Sequence, residues 1–549
     1  MSTQTSASSR DAAGTGRRTL FVRQSSGLVR EFSMSDVVLI NVVGVNLGAV
    51  AALSIGAVAG LWPGASMVLV AVIGGIVSLA TVGTYGLMSA AMPRAGGDYV
   101  FVGRTLSPWI GFTANWMITW SLFVAVGLYS VAVVSQALAP GLAAFGYVSG
   151  HHSLVTAATD LATKKGLLAL VSFAVIIAAG IVALLGDRAV KWAFRVLTIV
   201  GGLGLAIALI LLLVTSHDTW VSRVDPYLTQ DGGNSVAAMR AAADKAGFTA
   251  PGFSFGATLS ALPFAFFMYV GLTYTSYLGG EIQKPQRSQP VGMFIALLIC
   301  VAVDLLLFAG VYSAFGWDNI HTWAFLTGAK PDALSLFGGF ASGAFLIGTL
   351  PASPVLSAII GLSFVAWFAM LPLFAIVMPI RNMFAWSMDR VIPEGVSRVT
   401  AKGTPVVSTV IVAVLAVGVV SVAVYSTFLN LVVNYTLMYS ITFFIAGVAA
   451  AVFPMRRRDL FERAPASVTR TIGGIPIVSI AGAIQAIVFA VIIVEALENP
   501  AFGGPNGRNA LLFIIGVLVS GPVVFFVSRA IRRRQGYDVD AAWRGLPPD

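Results

Sequence analysis

In FFMYVGLTYTSYLGGEIQKP, Phe266 to Pro285, an apolar run takes in Tyr269, Gly271, Thr273, Tyr274, Thr275 and Ser276. In a bilayer such polarity, or an unwound backbone, is tolerated only where it is buried in protein or lines a watery cavity, because each unpaired amide or carbonyl in lipid costs several kcal/mol. Tyr269, Thr273, Ser276 and Gly280 recur at i, i+4, i+7 and i+11, one face of a helix that should look inward. Pro263 removes an amide and Gly271 permits unusual dihedrals. A second stretch, INVVGVNLGAV from Ile40 to Val50, places Asn41, Gly44, Asn46 and Gly48 at the middle of another span. Interrupted helices of this kind offer amides and a positive dipole end to anions, and freed carbonyls to cations. Gly44, Gly48, Ala52, Gly56 and Gly60 also recur every four residues, a seam that packs helices closely, and packing and unwinding are compatible.

Two acidic residues stand out. Asp304 lies in the middle of CVAVDLLLF, where a charge costs about 2.5–3.5 kcal/mol on insertion scales, so it should face the bundle. It is a candidate for proton or cation coupling, or a protonated residue that ties helices together. Glu281 ends its span, where the helix dipole disfavours a negative charge. A basic partner is expected, with Arg94, Lys284 and Arg381 the candidates, either as an inner gate or as a loop anchor.

Catalytic and cofactor chemistry find little support. Cys300 is the single cysteine, which removes intrachain disulfides and cysteine metal clusters, and His151, His152, His217 and His321 all fall in loops. GFSFG, Gly252 to Gly256, satisfies G-x-S-x-G but lacks the strand and the acid and base partners of a nucleophile elbow. The chain contains no Gly-Lys dipeptide, hence no P-loop. Neither metal nor cofactor is expected.

The elements that carry these residues follow from composition. A 549-residue chain with 57% hydrophobic and 10% charged residues must live in a bilayer. Runs of about 20 apolar residues recur at 35–60, 66–92, 108–138, 166–186, 190–215, 252–280, 291–316, 354–388, 405–425, 427–453, 473–497 and 509–530. With both termini inside, 26 of the 33 Lys and Arg fall on the cytoplasmic side and seven outside, as the positive-inside rule requires. The net charge of +10 is therefore topological, and nucleic-acid binding is not implied. Residues 1–30 read as a disordered cytoplasmic tail and 531–549 as a second tail. The run Arg456 to Arg458 and the run Arg532 to Arg534 should touch anionic lipid. Outer loops 216–251 and 317–353 are long enough for short lid helices. The interruptions in spans one and six are five spans apart, which suggests two inverted halves, 31–215 and 252–453, with helices eleven and twelve (472–530) added. Many spans without a nucleotide site leave secondary transport as the leading class. A channel, or a sensor that binds without moving its ligand, is the alternative. Nothing in the sequence bears on oligomeric state.

Four stretches carry a resemblance: the Asn- and Gly-rich first span; MPRAGGDYVFVGRTLSPWIGF, Met92 to Phe112; FFMYVGL with GGEIQKPQRSQP, Phe266 to Leu272 and Gly279 to Pro290; and RNMFAWSMDRVIP with KGTP, Arg381 to Pro393 and Lys402 to Pro405. Over about residues 31–530 the chain resembles the amino acid-polyamine-organocation (APC) superfamily of permeases. The resemblance implies an all-α polytopic fold of twelve transmembrane helices, a leucine-transporter-like 5+5 inverted repeat plus two. It implies an amino acid or amine substrate, moved across the cytoplasmic membrane with a proton or by exchange. In that family the substrate carboxylate meets amides of the first break, here Gly44, Val45, Asn46, Leu47 and Gly48. The ammonium meets carbonyls of both breaks, and the side-chain pocket is lined from the sixth span, here Phe267, Tyr269 and Gly271. The sequence departs from the family at Gly44-Val45-Asn46-Leu47-Gly48, where Gly, Ser or Thr, Gly, Ile, Phe is usual. Some proton-coupled relatives carry a Lys in mid fifth span; here that region is RVLTIVGGLGL, Arg195 to Leu205, and the device is not carried over. Asn115, Trp116 and Thr119 of the third span and Asn430 and Asn434 of the tenth are further candidates for the route.

Overall fold

The computed structural model describes residues 30–229, 235–329, 342–398, 405–426, 435–498, 508–536 and 543. Asn430, Asn434, most of both tails and Lys402 to Thr404 lie outside them. The chain folds as a helical bundle in which, among the described residues, eleven helices are long and apolar enough to cross a membrane. The sixth span of the sequence reading, 252–280, is too interrupted to be among them.

Burial sorts the bundle into centre and rim. The most apolar windows of Met34–Leu61, Pro108–Ser149 and Pro354–Met388 are 78%, 72% and 72% buried, whereas Lys165–Leu184, Asp187–Val214 and Leu511–Arg534 are 33%, 28% and 22% buried. The first, third and eighth spans therefore form the interior. Ile177, Ile181, Ile199, Leu203 and Ile210 of the fourth and fifth are exposed apolar residues, the surface that lipid tails solvate. Contacts of Phe32 with Glu281 and of Arg532 with the Arg390 carbonyl put both ends of the described chain on one face.

The first span is broken at a single residue. A helix runs Met34–Val45 and a second Leu47–Leu61, with Asn46 between them in the left-handed region at φ 60°. Among L residues with a Cβ, Asn tolerates that conformation best, because its short polar side chain bonds locally. Here Asn46 Oδ1 accepts the Ala49 amide at 2.9 Å and caps the second helix. A helix that stops at Val45 and restarts at Leu47 leaves orphan carbonyls before the break and orphan amides after it.

The sixth span behaves differently. An α-helix, Leu262–Tyr269, tightens into 3₁₀ winding over Val270–Tyr277 and again over Gly279–Glu281. Thr273 Oγ1 donates to the Val270 carbonyl and Ser276 Oγ to the Thr273 carbonyl, side-chain bonds at i−3 that suit the tighter winding. Pro263 opens the α-helical part, at a position where its missing amide costs nothing. Gly271 is not among the residues with positive φ. Glycine is demanded there by contact: a Cβ would lie 2.0 Å from the Gly44 carbonyl carbon, and a Cβ on Gly44 would lie 2.6 Å from the Gly271 oxygen. The two interrupted helices touch backbone to backbone where both sequences supply glycine.

The third span extends beyond its expected end, through a π-turn at Val133–Leu138 to Ser149. The long loops 216–251 and 317–353 carry short helices, His217–Thr229, Val236–Lys245, Trp317–Ala329 and Gly343–Gly348.

Candidate functional site

A cavity of about 70 Å³ lies against the two breaks. Gly44 and Val45 contribute the end of the first half-helix, and Phe267, Met268 and Val270 the transition from α to 3₁₀. Tyr129 of the third span and Phe368, Leu371 and Phe374 of the eighth close it. At roughly 10–15 Å³ per water position, the space holds one small solute. Ser54, Tyr129 and Tyr274 are among its lining residues, which include no Asp, Glu, Lys, Arg or His. Toward the termini-bearing face it is capped by Tyr274, whose ring lies 4.0 Å from that of Phe374 and whose hydroxyl is 2.9 Å from that of Tyr439.

Of the residues singled out from sequence, Gly44, Val45 and Phe267 line this cavity. The others support it. Asn41 donates to Thr275 Oγ1 at 3.1 Å and accepts the Thr275 amide at 3.3 Å, joining the first span to the 3₁₀ segment. Gln289 of the seventh span reaches the same Thr275 carbonyl at 2.7 Å. Asn46 Nδ2 donates to the Trp367 carbonyl at 2.6 Å, which ties the break to the eighth span. Gly48 packs on the same residue, with room for a Cβ only 2.4 Å from Trp367 side-chain carbon. The side chains of Leu47 and Thr273 are buried. Tyr269 turns to the second span, its hydroxyl 3.3 Å from the Ala71 carbonyl. The Trp367 indole also faces Gly201 of the fifth span, where a Cβ would lie 2.9 Å from Nε1. The place opposite mid fifth span is thus filled from the eighth.

Asp304 is fully buried beside Tyr269 and Cys300, and no ion pair reaches it among the described residues. Its helix, Pro285–Phe315, packs along the second span.

At the termini-bearing face, buried ion pairs gather the ends of several spans. Arg381 Nε is 3.2 Å from Glu281 Oε1, and the same guanidinium bonds Asp187 at the start of the fifth span. Arg94 donates to the Pro93 carbonyl, and its own carbonyl lies against Gly279. Asp36 bonds Lys191 at 2.7 Å and Arg195 at 2.6 Å, holding the first span to the fifth. Phe32 pairs with Ile282 in a parallel bridge. Sequence reasoning passed over Asp98, the first residue of a short helix, Asp98–Thr105, between the second and third spans. It is fully buried and accepts from Tyr277, Asn115 and Tyr85. Burial pushes its carboxyl up to about 6, against the pull of those donors. An acid in a loop motif gives no warning of this; the signal was the pair Gly96-Gly97 before it. Asn115 belongs to the same cluster through Trp386, Thr119 bonds Asn382 and Trp116 bonds Ser520.

A bundle whose first and sixth helices are interrupted and touch at one depth, with a cavity beside the contact, is of the leucine-transporter-like class. The sequence profile of the amino acid permease family matches residues 32–520, and the chain belongs to that family. The branched-chain amino acid permease BcaP of Lactococcus lactis subsp. cremoris (strain MG1363) is 24% identical over 355 residues, which span 62% of this chain and 64% of that permease. The crystal structure of MhsT in complex with L-phenylalanine matches with a TM-score of 0.54 at 15% identity, covering 84% of this chain and 98% of MhsT, and so shares the fold.

Proposed function

We propose that this protein is a secondary transporter that moves a neutral amino acid with an apolar side chain across the cytoplasmic membrane by alternating access. One observation carries the substrate class: the cavity wall is apolar and aromatic and holds no carboxylate. A polyamine or a cationic side chain would enter as an unpaired buried charge, at a cost of several kcal/mol. An apolar side chain gains about 0.8 kcal/mol per buried methylene. The two relatives named above are a branched-chain amino acid permease and a protein complexed with L-phenylalanine, and both point the same way.

The substrate carboxylate is assigned to the amides that follow Asn46, those of Leu47 and Gly48, at the positive end of the second half-helix. The ammonium is assigned to the carbonyls of Gly44 and Val45, and Phe267 with Phe368 and Phe374 clasps the side chain. Glu281, Arg381 and Asp187 form the inner gate together with the Asp36 cluster. Asp304, outside the cavity and against Tyr269, is the candidate coupling residue. Residues 31–215 and 252–453 act as the two inverted repeats, with the termini-bearing face in the cytoplasm.

Counterflow in proteoliposomes tests this reading. Leucine, isoleucine, valine or phenylalanine inside should drive accumulation of labelled leucine, with lysine, putrescine and glutamate inert. Counterflow by putrescine or lysine at the rate of leucine would overturn the substrate class. Currents far above carrier turnover would overturn the carrier.

A further inference from the structure

The loop Pro93–Gly97 is moulded onto the inner half of the sixth span. Gly96 donates its amide to the Tyr277 carbonyl at 3.1 Å, and Ala95 pairs with Leu278 in an antiparallel bridge. Gly97, at φ +52°, has no room for a Cβ, which would lie 2.9 Å from the Tyr277 ring. Asp98 follows at once, with none of its surface exposed. Its Oδ2 accepts the Tyr277 hydroxyl at 2.6 Å and the Tyr85 hydroxyl at 3.3 Å, and its Oδ1 accepts Asn115 Nδ2 at 2.7 Å. Asn115 Oδ1 accepts the Trp386 indole at 2.7 Å. The second, third and sixth spans and the short helix thus meet on one carboxyl, and the eighth span joins them through Asn115.

The surroundings hold that carboxyl with dipoles alone. The second span offers Tyr85, the sixth Tyr277 and the third the neutral Asn115. The helix Tyr435–Arg456 presents Tyr439 to Tyr274 beside Tyr277. On its own helix Arg104 is paired with Asp389 at 3.7 Å and lies against the Trp543 ring. No Lys or Arg is paired with Asp98 among the described residues. The other buried carboxylates described at this face have basic partners: Glu281 has Arg381, Asp36 has Lys191 and Arg195, and Asp389 has Arg104.

We propose that Asp98 is a proton-binding site whose occupancy follows the inner gate: closing the loop over Tyr277 buries the carboxyl and takes up a proton, and opening hydrates it and releases the proton to the cytoplasm. The proposal rests on the alternating-access reading given above. The sign follows from linkage. Burial pushes the carboxyl up to about 6 from its ordinary 3.8, so the closed arrangement binds the proton more tightly and acid on this side favours closure. Between pH 7.5 and 5 the closed-to-open ratio rises about tenfold. The role is distinct from that of Asp304, which lies outside this cluster.

Infrared titration of the purified full-length protein reads the proton directly. The wild type should show a protonated-carboxyl band with a midpoint near pH 6 that is missing in Asp98→Asn. Tyr277→Phe, which removes the shortest hydrogen bond to the charged form, should move that midpoint to higher pH. Counterflow of leucine with internal pH varied at fixed external pH should slow by up to about tenfold toward pH 5 in the wild type, and Asp98→Asn should lose that component of the dependence. An Asp98→Asn protein with the wild-type band and profile overturns the proposal. So does a Tyr277→Phe protein with an unmoved midpoint, should Asp98→Asn fail to fold. Wild-type vesicles without counterflow at any pH would instead refute the transport reading, with the band still deciding Asp98.

Discussion

Gly271→Ala is the sharpest perturbation the structure offers. The added Cβ would stand 2.0 Å from the Gly44 carbonyl carbon and 2.5 Å from the Val45 nitrogen. Carbon atoms in contact sit about 3.5–4.0 Å apart, so the two interrupted helices must separate by about 1.5–2 Å. The obstructing atoms are backbone, and no rotamer change relieves them. Overpacking typically costs about 1–3 kcal/mol, and this site belongs at the upper end, about 3 kcal/mol. If the strain falls on the state that encloses substrate, apparent affinity weakens about 100-fold, because every 1.4 kcal/mol is tenfold. Gly44→Ala, with its nearest contact at 2.6 Å, should lose less. Gly202→Ala is the control: nothing lies within 4 Å of its Cβ, and Ala gains about 1 kcal/mol of helix propensity over Gly. The assay is leucine binding by scintillation proximity on monodisperse protein, alongside thermal unfolding in detergent. A Gly271→Ala protein that binds and unfolds like Gly202→Ala would refute the claim that the interrupted helices cross at this glycine pair.

Asn46→Asp keeps the cap on Ala49 but cannot donate to the Trp367 carbonyl, while Asn46→Ala loses both and places Ala at φ 60°. The expected loss is about 1 kcal/mol for the cap and about 1–2 kcal/mol more for the left-handed backbone, so leucine uptake should fall in the order wild type, Asp, Ala. Asp304→Asn should abolish proton-driven uptake while sparing exchange, measured as uptake with and without an imposed pH gradient; an unchanged pH dependence would remove Asp304 from coupling. His321 Nε2 accepts the Gly64 amide while its Nδ1 faces the Trp317 carbonyl, so the neutral ring is the bonded form. Burial lowers its pKa from 6.5, so its contribution is present above pH 6.5 and lost as pH falls below that value. Acid unfolding in His321→Gln should lack that component.

Much of the fold was legible because the bilayer makes polarity conspicuous. Asn46 and Gly271 announced their depth in the chain, since a polar or flexible residue amid apolar ones needs a reason there. What each polar residue bonds was not legible. Asn41 and Asn46 are equally polar in sequence, yet one staples the first span to Thr275 and the other to the eighth span, a choice made by tertiary contact. The cavity wall from the eighth span was hidden for the opposite reason: Phe368, Leu371 and Phe374 are apolar in an apolar helix and carry no contrast. Arg381 could be named beside Arg94 and Lys284 as a partner for Glu281, but selecting among them required the packing of span eight on span six. Gly271 shows the limit of residue-type reasoning most clearly, because glycine signals freedom and close approach alike, and here contact with Gly44 is what requires it.

A structure determined with leucine bound tests the central claim most directly. The substrate carboxylate should lie within hydrogen-bond distance of the Leu47 and Gly48 amides, with the side chain among Phe267, Phe368 and Phe374. Density for leucine elsewhere, such as among the outer-loop helices around Trp220 and Phe315, with the space beside Gly44 and Val270 unliganded, would contradict it.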